Sequence, residues 1–358
     1  MEIFLLLDKL RPTAAGLDQI PAWFLRLAAP IIYQPLTRLF NLSISTGTVR
    51  LQWKQAIIRP VPKVAAPTKH DDFRPISITP FLTRLMERTV MRRFLYPAFL
   101  TQLSTLAFHD QFGLRPTGST TAAFVYTLYA ITSLLSTNPF VIVIALDFSK
   151  AFDTVRHSTL LHEIAKLEIS ENVYNWLLDF LQGQFHCTEY NGQSSALREI
   201  SASIIQGSSI GPAMYVVEAA DLHAVDPGNL RSKYADDTCF IIPASNSHTR
   251  TLELEHIEAW SKANNITLNR TKSVEIIFTS KKCKVAPSTP PPLPGITRCS
   301  SLTVFGITVT NTLSVAEHVQ DVTKLSSQTM HVLRILRSYG MPATVIQQVF
   351  SGSSCCQA

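Results

Sequence analysis

Six apolar residues in an unbroken row, Val141-Ile142-Val143-Ile144-Ala145-Leu146, run straight into Asp147 and constrain this chain more than any other feature. The run is β-branched and short, so it reads as a strand buried on both faces. Such a strand needs neighbours on both edges, and it leaves Asp147 at the rim of a sheet on a fixed backbone. A second apolar run, Cys239-Phe240-Ile241-Ile242, follows Tyr234-Ala235-Asp236-Asp237. That pattern predicts a tight turn with acids at the tip of a hairpin whose strands enter a core. Taken singly, Asp147 reads as an N-cap and Asp236-Asp237 as an ordinary acidic turn. If their strands are neighbours, the carboxylates meet, and they repel unless a cation or a proton shares them. Oxygen ligands without Cys or His favour Mg²⁺ over Zn²⁺. Two such ions about 3.5–4 Å apart serve in-line phosphoryl transfer.

Composition narrows the class. The chain has 358 residues, 46% of them hydrophobic and 16% charged, against a usual charged fraction of about 25%. A large core can form, and some apolar surface is expected to be covered by a partner or by further sequence. The net charge of +6 suits a polyanionic partner only weakly. The six cysteines form no Cys-x-x-Cys and join no zinc-spaced histidine pair, which suits a reducing compartment. The apolar start at residues 3–7 is too short and too acidic in its flanks for a signal peptide, and no run approaches a membrane span. The expectation is a soluble protein, not secreted and with no membrane partner.

Along the chain, residues 1–60 are Leu-rich at helical spacing, broken at Pro21, Pro30 and Pro35. A strand is expected at 56–61, a polar loop at 68–72, and a helix at 81–95 carrying Arg84, Arg88, Arg92 and Arg93. Ser119 should cap a helix over 119–136. Helices are predicted at 157–167, 171–182, 218–224, 251–264 and 315–338. Asn191-Gly192 signals a hairpin turn, and further strands are expected at 274–278 and around 304–307. The proline-rich stretch 287–295 reads as an extended loop. The tail, 351–358, has no periodicity, and the chain is expected to stop inside a helical region.

Two more elements complete the pattern. Gln206-Gly207-Ser208-Ser209-Ile210-Gly211-Pro212 offers backbone amides and close approach to a base or a phosphate, or else a plain strand-to-helix connection. Lys63 and Arg74 are cations of the type a triphosphate needs, with solvated loop charge as the simpler reading.

In this order the set resembles the reverse transcriptase domain of non-LTR (LINE-type) retrotransposons. Gly16-Leu17-Asp18-Gln19-Ile20-Pro21 resembles the family's N-terminal extension motif. Residues 53–63, Phe73-Arg74-Pro75-Ile76-Ser77 and Gln111-Phe112-Gly113-Leu114-Arg115 with Gly118-Ser119-Thr120 resemble fingers segments. Residues 146–155 are similar to motif A, 206–212 to motif B and 234–237 to motif C. Trp260 with Asn264, Asn269 and Lys272 resembles motif D, and Phe305-Gly306 motif E. The likeness runs from about residue 10 to about residue 345.

The resemblance implies an α+β right-hand polymerase fold, with fingers, a palm built on an antiparallel sheet and a truncated helical thumb. It implies an N-terminal extension at 1–50 and a reverse transcriptase domain at 51–310. Within that domain the fingers would take 51–139 and part of 156–200, and the palm 140–155 and 201–310. A partial thumb would occupy 311–358. Asp147, Asp236 and Asp237 would be the catalytic acids and, with the carbonyl of Phe148, the ligands of two Mg²⁺ ions, Mn²⁺ being a substitute. Phe152 would exclude a ribose 2′-OH, Lys63 and Arg74 would hold the triphosphate, and Gln206 and Gly207 would line the nucleotide and template pocket. Lys272 would approach the triphosphate, Phe305 and Gly306 would form the primer grip, and Asp153 would be structural near Arg156. RNA template, DNA primer or target and dNTPs are the implied partners, and a nuclear location follows by analogy. An endonuclease is not expected in this stretch. Leu114 stands where an aromatic is common in the family and Phe305 where Leu is common. The competing reading is a catalytically inactive remnant that at most binds nucleic acid. An RNA polymerase is disfavoured by Phe152.

Overall fold

The computed structural model of the chain describes residues 2–101, 108–113, 118–149, 151–200, 202–205, 207–280 and 288–355. The amino-terminal part comprises α1 (Glu2–Asp8), α2 (Ala22–Ser45), β1 (Gln55–Pro62), β2 (Phe73–Ile78), α3 (Phe81–Val90), α4 (Tyr96–Leu100) and α5 (Thr120–Leu135). The middle holds β3 (Phe140–Leu146), β4 (Phe148–Ser149), α6 (His157–Ile164), α7 (Glu171–Leu181), β5 (Gln184–Tyr190), β6 (Gln193–Ser194), β7 (Arg198–Ile200) and α8 (Gly211–Glu218). Then come β8 (Leu230–Tyr234), β9 (Asp237–Pro243), α9 (Arg250–Ala263), β10 (Thr267–Leu268), β11 (Val274–Thr279), β12 (Thr297–Cys299), β13 (Ser301–Val304), β14 (Ile307–Thr310), α10 (Ala316–Ser338) and α11 (Ala343–Cys355).

The apolar run 141–146 lies in the middle strand of a five-stranded sheet, in the order β12-β11-β3-β9-β8. Both of its edges are paired antiparallel, Ile144 with Glu275 on one side and with Phe240 on the other. Its alternate residues enter two cores. Ile142 and Ile144 face the larger one with Phe240 and Ile242, while Val141 and Val143 face a second one under α5 with Ile241, Ile276 and Phe278. Burial on both faces explains why the run is continuously apolar rather than alternating. A second sheet, built on β1, β2 and β5, stands apart from the first. Ser119 caps α5 as expected, its side chain accepting from the Ala122 N–H at 3.0 Å. Asn191 and Gly192 take positive φ, 50° and 76°, at the turn between β5 and β6.

Two expectations fail for tertiary reasons. Pro30 and Pro35 do not break the first long helix, which runs unbroken as α2. Both prolines lie on its exposed side, so the missing N–H bonds face solvent, while Leu25, Ala29, Leu36 and Phe40 bury the other face. Residues 219–224 are not helical, because α8 ends at Glu218. The buried ammonium of Lys233 takes the carbonyls of Ala219 and Leu222, each at 2.9 Å, which a continuing helix would need for its own N–H groups. Among the described residues no helix is long and apolar enough to cross a membrane.

Candidate active site

The β3–β9 register pairs Leu146 with Thr238, so the next residue on each strand, Asp147 and Asp237, stand at the same end of the sheet. The β8–β9 hairpin closes there, with Tyr234 paired to Asp237 and Ala235-Asp236 making the turn. Ala235 has φ of 54°, a left-handed conformation that a residue with a side chain adopts only when its surroundings hold it there. The segment Asp110 to Gly113 is that surrounding. The Phe112 N–H donates to the Lys233 carbonyl, and the Lys233 N–H to that of Asp110, both at 2.8 Å. Gln111 Oε1 accepts from the Ala235 and Gly113 N–H groups at 3.2 and 3.0 Å. A side chain at Gly113 would collide with the tip, since its Cβ would lie 2.6 Å from the Ala235 nitrogen.

The acids feel one another. The Asp236 carboxyl is held above its ordinary range by removal from water and then by the charge of Asp147. Asp237 is raised by desolvation, then by Asp236 and Asp147. Among the described residues no three acidic, His or Cys groups form a ready metal cluster. The donor set nevertheless fits a hard divalent cation: all oxygen, mutually repelling, and lacking the soft ligands that zinc prefers. The backbone of Asp147 is fixed from the turn between β10 and β11. Its N–H donates to Ser273 Oγ at 3.1 Å, and its carbonyl accepts from the Asn269 N–H at 2.8 Å.

A cleft of about 920 Å³ opens beside the acids, lined by Asp236, Phe148, Phe152, Lys63 and Arg74 among others. Five of the residues expected at the site therefore share one cavity. Phe148 sits in β4, paired with Leu268, and packs edge-on against Trp260 at 5.9 Å. The half-buried ring of Phe152 stacks on buried Tyr215 at 4.8 Å. Burial, and then the nearby Asp236, push the Tyr215 phenol upward, so its hydroxyl stays neutral. Lys63 and Arg74 lie on the paired ends of β1 and β2, where Val61 faces Arg74 and the Lys63 N–H donates to the Asp72 carbonyl at 2.7 Å. Gly207, with φ of 109°, approaches Ser77 so closely that a Cβ would lie 2.2 Å from its carbonyl oxygen. Gln206, along with Leu114, Arg115 and Lys150, lies outside the described residues.

Other expected positions fall elsewhere. Lys272 is exposed on the turn before β11 and does not line the cleft. Phe305 and Gly306 form the tip between β13 and β14, and the Phe305 ring meets that of Tyr234 at 6.2 Å, beside the acidic tip. Arginines of the stretch 81–95 take separate partners. Arg84 donates to Thr13 Oγ1 and the Ala14 carbonyl, each at 2.9 Å, and Arg93 pairs with Glu2 at 2.6 Å. Arg84 and Arg88 instead share a smaller cleft of about 350 Å³ with Lys9 and Arg11.

Several contributors were not anticipated. Lys69 adds a cation and His70 an imidazole to the rim of the large cleft; two more bases between Lys63 and Arg74 were the available signal. Gln111 and Tyr215 support the tip and the Phe152 ring from distant parts of the chain. Under β8, Arg231 and Lys233 pair with the buried carboxylate of Asp110 at 2.6 and 3.6 Å. A lysine inside an otherwise paired strand was the clue there.

Comparison with known proteins agrees with this geometry. Residues 61–309 match the family model described as reverse transcriptase (RNA-dependent DNA polymerase). The RNA-directed DNA polymerase from mobile element jockey of Drosophila melanogaster is 27% identical over 280 residues, covering 75% of this chain and 30% of that protein. A probable RNA-directed DNA polymerase from transposon BS of the same species is 28% identical over 316 residues, 84% of this chain and 34% of that protein. The chain thus spans about a third of the length of these curated relatives. Among solved structures, telomerase from Candida tropicalis in complex with the TWJ fragment of telomeric RNA superposes with a TM-score of 0.52 at 16% identity, over 79% of this chain and 48% of that one. At that identity the likeness speaks for the fold alone, a right-hand polymerase architecture.

Proposed function

This chain belongs to the reverse transcriptase (RNA-dependent DNA polymerase) family, and on that premise we propose that its cleft adds deoxynucleotides to a primer 3′-OH along an RNA template. The observation that carries the reading is the meeting of Asp147, Asp236 and Asp237 at one end of the central sheet, with Asp236 on the wall of a cleft that also holds Lys63, Arg74 and Phe152. The reading extends to a retrotransposon element, with residues 1–50 as an N-terminal extension, 51–310 as the polymerase domain and 311–358 as thumb. Nuclear location is part of the same proposal.

The family generally uses divalent metal ions. Asp147, Asp236 and Asp237, with the Phe148 carbonyl, would hold two Mg²⁺ ions, for which Mn²⁺ could substitute. When bound, these would lower the charge cost of forming the 3′-alkoxide and of releasing pyrophosphate. The protein supplies position and field. Lys63, Arg74, Lys69 and His70 offer cations and donors to the triphosphate along the β1–β2 wall. The Phe152 ring would bound the sugar position and exclude a 2′-OH. Gly207 lets the backbone of its loop lie against β2. Lys272, outside the cleft lining, would meet the pyrophosphate only from the rim.

Primer extension on poly(rA)/oligo(dT) with Mg²⁺ tests the reading. Wild-type protein should incorporate dTTP, and Asp236→Asn should fall to background while remaining folded. A soluble, folded wild-type protein that incorporates nothing would favour the inactive remnant and overturn the proposal. Equal incorporation by the variant would remove Asp236 from the site.

A further inference from the structure

The residues around the Phe152 ring show how it is held. Behind it lies Tyr215 of α8, 1% exposed and stacked at 4.8 Å with the planes 29° apart. Beneath its backbone the turn 152–157 is stitched to residues 202–204. The Ile204 N–H donates to the Phe152 carbonyl at 2.7 Å, and the Ser203 N–H to the Val155 carbonyl at 3.0 Å. Arg156 and Ala202 form an antiparallel bridge. His157 Nε2 donates to the Ser203 carbonyl at 3.0 Å, and Asn265 Nδ2 to that of Thr154 at 2.7 Å. In the middle of this stitching, Ser203 has φ of 99°, where side-chain-bearing residues are strained and persist only when neighbours over-determine them.

Taking the polymerase reading as its basis, we propose that Tyr215 and the Ser203–His157 pair are positioning residues that set the discrimination between deoxyribo- and ribonucleotides. Phe152 can exclude a 2′-OH only if its ring cannot retreat. Exclusion by contact fails once the ring yields by a fraction of an ångström, so the gate is only as strict as its backing. Tyr215 blocks retreat into the core. Next to strained Ser203, the Ile204 N–H keeps the carbonyl of Phe152 tied to the segment that precedes the glycine loop. Gate and loop are thereby linked, since the Ser208 N–H donates in turn to the Ile205 carbonyl at 3.1 Å, and a strained, hydrogen-bonded linkage is a stiffer tether than a relaxed one.

Glycine is the residue that accepts φ of 99° without strain, so Ser203→Gly removes the rigidity and not the fold. Tyr215→Leu removes the backing ring, and Tyr215→Phe keeps it while losing only the hydroxyl. The readout is competitive binding of dATP and ATP, with Mg²⁺, to protein carrying a dideoxy-terminated primer on a poly(rU) template. Incorporation ratios are measured in parallel. Wild type should prefer dATP, and Phe152→Val should lose that preference. Ser203→Gly and Tyr215→Leu should each lower the dATP/ATP ratio about tenfold or more, chiefly by gaining ATP affinity, while Tyr215→Phe stays at the wild-type ratio. A purely structural role would instead weaken both nucleotides together. If Ser203→Gly and Tyr215→Leu keep the wild-type ratio while Phe152→Val loses it, the positioning role is wrong and the polymerase reading stands. If wild type binds neither nucleotide, both fall.

Discussion

Two hairpin tips meet in this molecule and solve the same turn differently. Between β13 and β14 the two turn residues are Phe305 and Gly306, both at positive φ, and nothing lies within 4 Å of where a Cβ on Gly306 would stand. Between β8 and β9 they are Ala235 and Asp236, and a side-chain-bearing residue holds the left-handed position. The first tip also holds a side-chain-bearing residue in the left-handed region, Phe305 at 49°, but beside a glycine and in open space. The second is packed, and its glycine sits on the neighbouring segment, at Gly113, which makes room for it. The difference teaches where strain belongs. A tip that must aim a carboxylate has an acid where the other has its glycine, so its left-handed residue is held by Gln111 and Gly113 pressing from outside.

The strongest way to break this contrast is Gln111→Leu. It leaves the Ala235 and Gly113 N–H groups without their acceptor, a loss of about 1–3 kcal/mol. Because a misplacement of about 1 Å near the chemistry can cost about a hundredfold, incorporation should fall by about that factor while circular dichroism still reports the native fold. Unchanged turnover would show that the tip needs no buttress.

A smaller effect sharpens the electrostatic side. The Asp236 pKa is raised above its ordinary 3.8, so the folded chain binds that proton more tightly than the unfolded one. Its contribution to stability is present at low pH and is lost as pH rises from the ordinary value through the raised one. In chelator near neutral pH, Asp236→Asn should therefore melt higher than wild type although it is inactive. The gap should close toward pH 3.8. A lower melting temperature for the variant near neutral pH would show that the acid is already compensated within the protein.

The mildest test is at the open tip. Gly306→Ala meets open space but must adopt φ of 87°, a cost of about 1 kcal/mol. Thermal unfolding should register it, and incorporation should stay near wild type. A large loss of activity there would mean that the second tip is as exacting as the first.

Much of the site was legible because its signals are local. A β-branched run ending in Asp147, a turn with two acids before a second such run, and Asn191-Gly192 each act over a few residues through pleat, burial or turn chemistry. The family likeness then ordered them. What stayed hidden lay in contacts between distant segments. Pro30 and Pro35 read as helix breaks until the buried face of α2 outweighed them. The end of α8 depends on Lys233, and the arginines of α3 and the turn after it depend on Glu2, Thr13 and Ala14.

The sequence by itself determined the central sheet strand, the acid-bearing hairpin and the chemical type of the cleft, since apolar periodicity and residue chemistry are properties of neighbouring positions. Only the tertiary structure decided that Gln111 steadies a tip 124 positions away and that Tyr215 stands behind Phe152. It also decided that Lys63 and Arg74 face the same cavity as Asp236. Those pairings arise when strands and helices close on a common core, and no local pattern in the chain encodes which distant side chain will arrive to complete the site.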